Sequence, residues 1–128
     1  MLERIKNIIN GKVPIGKKRS SQWPKVRKQH LEKNPACAAC GSIEKVEVHH
    51  KIPFHFDQSK ELDLSNLITL CECKKNTGGV NCHLEIGHGD SYRAYVEPVI
   101  QMSLKYKTYP KDYKEITAEA KRIRKSSK

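Results

Sequence analysis

No stretch of this sequence approaches the ~18 consecutive apolar residues that read as a membrane-crossing helix. The opening residues MLERIKNIINGK lack an apolar signal core and a small-residue cleavage site. The expectation is a soluble, cytoplasmic protein with no membrane partner. Aromatic residues are scarce at 6%, apolar residues make up 37%, and mean hydropathy is −0.72 over 128 residues. A globule of this size buries roughly two-thirds of its unfolded surface, so such a composition gains from a covalent or metal staple. There is no internal repeat and no low-complexity tract, which excludes a solenoid. Cysteine occurs five times, and an odd count argues against a fully paired disulfide framework. In a cytoplasmic chain, metal ligation is the better account of those thiols.

Acidic side chains are also few: 14 against 25 Lys and Arg, for a net charge of +11 and a pI near 9.5. The imbalance is not spread evenly. Residues 1–35 carry ten basic and two acidic side chains, a balance of +8. Residues 36–90 carry five and eight, or −3, and residues 91–128 carry ten and four, or +6. A near-neutral centre that holds every cysteine lies between two basic arms. This pattern predicts a polyanionic partner held through its phosphates, with strong salt dependence.

Local patterns divide the chain. Leu2, Ile5, Ile8 and Ile9 predict a short helix over residues 1–10, ended by Gly11. Residues 12–19, with Pro14, Gly16 and Lys17-Lys18-Arg19, read as a basic linker. Ser20-Ser21 offers an N-cap for a helix with Pro24 in its first turn and Trp23, Val26 and Leu31 on one face. Asn34-Pro35 stops it. Beyond lie a tight turn at Cys37–Gly41, a strand over residues 45–50, a loop over 53–65 and a second strand over 67–70. Residues 74–81, with Thr77-Gly78-Gly79, read as an inserted turn. Asn81 caps a short helix to about Ile86, ended by Gly87. The centre is therefore strand, loop, strand, helix. A basic helix over residues 112–125 presents Tyr113, Ile116, Ala120 and Ile123 on its apolar face.

Structural zinc takes four tetrahedral ligands, mostly thiolates and imidazoles. Cys37 and Cys40 form a C-x2-C pair followed by Gly41, whose missing side chain suits a turn around a metal. The second pair comes from Cys71, Cys73 and Cys82. Cys71 follows directly on the second strand and Cys82 opens the last central helix, so the favoured set is Cys37, Cys40, Cys71 and Cys82, with Cys73 in place of Cys71 as the alternative. A redox pair would sit at a helix N-terminus in a βαβ pattern, and none is visible.

Val48-His49-His50-Lys51-Ile52-Pro53, then Asn66 leading N-L-I-T-L-C, then Cys82-His83 form the remaining constellation. Neighbouring residues on a strand face opposite ways, so His49 and His50 suit divided roles, one binding a metal and one acting as base. His30 and His55 read as ordinary surface or packing residues, and Lys51 as an exposed lysine able to touch a phosphate.

In its residues Trp23 to His88 the chain resembles the HNH endonucleases, of ββα-metal fold. The family spaces its middle Asn about nine residues from the next metal ligand, whereas Asn66 and His83 are seventeen apart. Ten residues separate Cys71 from Cys82 where the family commonly has two, and that excess of eight restores the register.

The resemblance implies an α+β fold: a small ββα-metal core stapled by structural Zn²⁺, with flanking helices. It implies His49 and His83 as ligands of a catalytic Mg²⁺ or Mn²⁺ (Zn²⁺ and Ni²⁺ being acceptable to imidazoles), His50 as general base, and Asn66 as the residue bracing the loop. The family often adds a third His four residues on, but Gly87 stands there and His88 follows, a candidate third ligand or phosphate contact. The expected organisation is a basic arm over 1–21, the nuclease domain over 22–90 and a basic, partly helical extension over 91–128. The expected function is hydrolysis of the phosphodiester bonds of duplex DNA, gripped mainly by its backbone through Lys17, Lys18, Arg19, Lys25, Arg27 and Lys28. The alternative is a non-catalytic, zinc-bound nucleic-acid-binding module.

Overall fold

The computed structural model describes residues 19–126. The helix expected over residues 1–10, most of the basic linker, and Lys17 and Lys18 lie outside them. Helix α1 (Trp23–Lys33) carries Pro24 in its first turn and ends at Asn34. Its N-cap is Gln22 rather than a serine; Ser20 instead accepts a hydrogen bond from the Gln22 backbone N–H at 3.1 Å. The helix's most buried residue is His30, not one of the three apolar residues expected to share a face.

Strands β1 (Val46–His50) and β2 (Leu67–Cys71) pair antiparallel, with Val48 opposite Thr69 and His50 opposite Leu67. All five β2 residues are buried, as a strand covered on both faces requires. The connection between the strands is built on two Asp-x-Ser turns. Asp57 accepts from the Ser59 N–H at 3.0 Å and Asp63 from the Ser65 N–H at 2.9 Å, each opening a short 3₁₀ turn. These side chains satisfy backbone donors that the irregular loop would leave bare.

After β2 comes a single π-helical turn, Cys82–Gly87, capped by Asn81, whose side chain accepts from the Leu84 N–H at 3.0 Å. The unit β1, β2 and this turn form the ββα frame, and the fold is α+β. Strand β3 (Ala94–Tyr95) then leads to α2 (Val99–Thr108), α3 (Tyr113–Ile123) and β4 (Lys125–Ser126), which pairs antiparallel with β3.

The core forms where these elements meet: Leu70, Ile86 and Val96 have no exposed surface, and Val99, Met102, Tyr106, Ile116 and Ala120 close over them. Each large apolar side chain removed from water contributes about 1.5–3 kcal/mol. Helix α2 is absent from the sequence reading. Its buried residues Val99, Met102, Ser103 and Tyr106 follow helical spacing, but Ile100 and Leu104 are exposed on the other side and blur the stripe. No helix among the described residues is long and apolar enough to cross a membrane.

Candidate active site and metal centres

The sulfurs of Cys37, Cys40, Cys71 and Cys82 all lie within 4.8 Å of one another. They are thiols, not disulfides. Local backbone brings each one in. The Gly41 N–H closes the first turn on the Cys37 carbonyl at 2.9 Å, and Gly41 takes φ of +81°, a conformation glycine adopts at little cost. Cys71 ends β2, and Cys82 opens the π-helical turn.

Between them, Asn76 ties the inserted segment together. Its amide donates to the Val80 carbonyl at 2.7 Å and to the Cys82 sulfur at 3.6 Å, while its oxygen accepts from the Val80 N–H at 2.7 Å. Cys73 turns away, its sulfur 3.7 Å from a Glu44 carboxylate oxygen.

Crowding divides the thiols. Hydrogen bonds from Cys71 and Cys82 hold Cys37 far below the usual thiol range. The same contact with Cys37 pushes Cys71 up to about 12 and Cys82 higher still. A buried four-sulfur set at this spacing has the donor chemistry of structural zinc, which would hold all four as thiolates.

The second cluster is made of imidazoles. Ring nitrogens of His49, His83 and His88 lie within 4.8 Å of one another, and all three rings are largely buried. His88 has its Nδ1 2.7 Å from the Ala94 carbonyl, so Nδ1 carries the proton and Nε2 the lone pair. His83 has its Nδ1 3.2 Å from a Glu72 carboxylate oxygen, which likewise frees Nε2. The Nε2 of His49 is buried without a hydrogen-bond partner. Burial first, and the facing His88 and His83 second, drive the His49 pKa well below its ordinary value. A neutral imidazole with an orphaned buried nitrogen beside two lone pairs is a donor set that fits a divalent cation.

Gly87 leaves the room that His49 occupies in this cluster. A Cβ there would lie 2.9 Å from Leu70 Cδ1 and 3.1 Å from His49 Cε1.

The histidines lie in a cleft of about 370 Å³, lined also by His50, Trp23, Arg19 and Tyr92. His50 rests on Trp23, with ring centroids 4.5 Å apart, and its Nε2 lies 2.9 Å from the Glu61 carbonyl. That acceptor places the proton on Nε2 and leaves Nδ1 as the basic nitrogen. Burial, then the charge of Arg19, pushes His50 down to about 4, so it is unprotonated at neutral pH.

Asn66 holds the loop that supplies Glu61. Its oxygen accepts from the Ile52 N–H at 2.9 Å, and its amide donates to the Ile52 and Lys60 carbonyls at 3.0 and 3.1 Å.

The predicted gripping residues are dispersed. Arg19 lies over the rings of Phe54 and Trp23, 4.9 and 5.7 Å from their centroids, with Glu61 at 3.9 Å. Arg27 lines the cleft and pairs with Glu47 at 3.7 Å. Lys25 and Lys28 are exposed. Lys51 donates to the Ser65 carbonyl at 2.9 Å. His30 bonds Thr69 away from the cleft, whereas His55 lines it. Sequence reasoning missed Glu61, Glu72 and Tyr92, since an isolated acid or tyrosine has no motif spacing to betray it.

A two-stranded ribbon and one helical turn, carrying a four-sulfur cluster and a three-imidazole cluster that each have the donor chemistry of a metal site, define a ββα domain. Residues 37–89 match the family model described as HNH endonuclease. No curated protein and no solved structure matches the chain.

Proposed function

We propose that the protein is a metal-dependent endonuclease that hydrolyses the phosphodiester backbone of DNA. One observation carries this reading: three imidazole nitrogens converge within 4.8 Å in a cleft that a fourth, unprotonated imidazole also lines.

A phosphodiester is anionic and repels nucleophiles, so hydrolysis needs a deprotonated water, a fixed approach and a sink for developing charge. His50 accepts the proton of the attacking water at Nδ1, with its ring fixed by Trp23 and the Glu61 carbonyl. Asn66 holds the loop that presents that carbonyl. His49, His83 and His88 would hold the metal. A divalent cation bound there would supply charge neutralisation for the scissile phosphate. Three nitrogen donors suit Mn²⁺, Zn²⁺ or Ni²⁺ ahead of Mg²⁺, which prefers oxygen ligands and retained waters. The cysteine cluster would hold zinc, which would fix β2 against the π-helical turn. Arg19, Arg27, Lys25 and Lys28, with Lys17 and Lys18, contact backbone phosphates, which positions DNA without reading its sequence.

The test is cleavage of supercoiled plasmid by wild type and His50→Ala, in EDTA and with Mg²⁺, Mn²⁺, Ni²⁺ or Zn²⁺. The expected result is nicking or linearisation by wild type only with metal, and loss of roughly 10²–10⁴-fold in rate in the variant. Full activity of His50→Ala, or a wild type that binds plasmid without cutting it under every metal, rejects the reading.

A further inference from the structure

The second nitrogen of His83 meets a side-chain acid. Its Nδ1 lies 3.2 Å from Oε1 of Glu72, and the same oxygen accepts the Tyr92 hydroxyl at 2.9 Å. The tyrosine ring packs on both imidazoles, its centroid 5.5 Å from that of His83 and 5.0 Å from that of His88.

An imidazole that donates to a carboxylate is fixed in tautomer and rotation and is a stronger donor at its other nitrogen. The placement has a second consequence. Glu72 follows Cys71, and His83 follows Cys82. The two cysteines belong to the sulfur cluster, so the sulfur site holds the backbone of both partners of the acid–imidazole contact.

We propose that Glu72, braced by the Tyr92 hydroxyl, is the positioning residue of the three-histidine centre, directing Nε2 of His83 at the cation shared with His49 and His88. The inference rests on the metal-centre reading above. Glu72 touches neither metal nor substrate and acts through His83. Removing such a partner typically weakens metal affinity about 10–100-fold.

The experiment uses zinc-loaded full-length protein with Mn²⁺ as the probe, since Mn²⁺ does not displace zinc from thiolates. Binding is read from the loss of the free Mn²⁺ paramagnetic resonance signal, at matched zinc content and melting temperature. Glu72→Leu is expected to weaken Mn²⁺ binding about 10–100-fold. Glu72→Gln, which retains an oxygen acceptor for Nδ1–H but no charge, is expected to fall between wild type and the leucine variant. Tyr92→Phe is expected to lose less than Glu72→Leu.

Wild-type affinity in both Glu72→Gln and Tyr92→Phe overturns the proposal, whether or not the leucine variant folds. A wild type that binds no Mn²⁺ beyond its zinc overturns the metal-centre reading and this inference with it, an outcome separate from the first.

Discussion

The Nε2 atoms of His83 and His88 stand 3.2 Å apart. Each ring's Nδ1 is taken up by an acceptor, a carboxylate for His83 and a carbonyl for His88, so two lone pairs face each other. Such a pair is repulsive until a cation lies between them. His88→Ala is therefore expected to weaken Mn²⁺ or Ni²⁺ binding by at least the about 10–100-fold that losing a ligand's hydrogen-bond partner costs. Calorimetric titration of the zinc-loaded protein measures it. Unchanged affinity would remove His88 from the centre.

Gly87 makes the opposite case. A methyl group there meets Leu70 and His49 inside van der Waals distance. Overpacking of this kind costs about 1–3 kcal/mol. Gly87→Ala is expected to melt lower and to bind metal more weakly, because the displaced ring is His49. Gly87→His is expected to bind metal no better than Gly87→Ala, since the larger side chain meets the same Leu70 and His49 atoms. Thermal melts with and without metal decide both.

The cysteines separate cleanly. Cys71→Ser removes one of the four clustered sulfurs, whereas Cys73→Ser removes a thiol directed at Glu44. About one zinc per chain is expected in wild type and Cys73→Ser. Zinc loss with unfolding is expected in Cys71→Ser, since binding energy at such a site is folding energy. Metal content by atomic emission, with circular dichroism, is the measurement; retained zinc in Cys71→Ser would overturn the assignment.

A pH effect follows from His30. Thr69 gives its hydroxyl hydrogen to the Asn34 carbonyl at 2.7 Å, so its oxygen accepts from His30 Nε2 at 3.0 Å. Burial, then the charge of Lys51, lowers the His30 pKa below its ordinary value. Below about pH 6.5 the unfolded chain therefore binds more protons here than the folded one. The group's contribution is intact above that pH and declines as pH falls through the window beneath it. Wild type is expected to lose more melting temperature between pH 7.5 and pH 5 than His30→Gln, whose amide still donates to Thr69. Equal losses would show that His30 does not titrate this way.

The ββα frame was legible because its signals are local. Asn81 and Gly87 bracket the turn, Val46 and Val48 mark a strand, and Cys71 and Cys82 flank the insertion. The favoured four cysteines are the four that cluster, since Cys71 and Cys73 differ by their place at the end of β2. Helix α2 escaped because apolar side chains occupy two of its faces. Glu61 escaped for another reason: it serves His50 through its backbone carbonyl, which every residue possesses, so its identity carries no sign of that role. Arg19, grouped with surface cations by its neighbours in sequence, is set over aromatic rings in the cleft by folding alone.

Trp23, packed against His50, is the only tryptophan in the chain. Its fluorescence thus reports from a single place, one ring away from the nitrogen assigned to accept the water's proton. Ligand entry into the cleft can be followed by emission in real time, with no dye attached, when the indole is excited selectively over the five tyrosines.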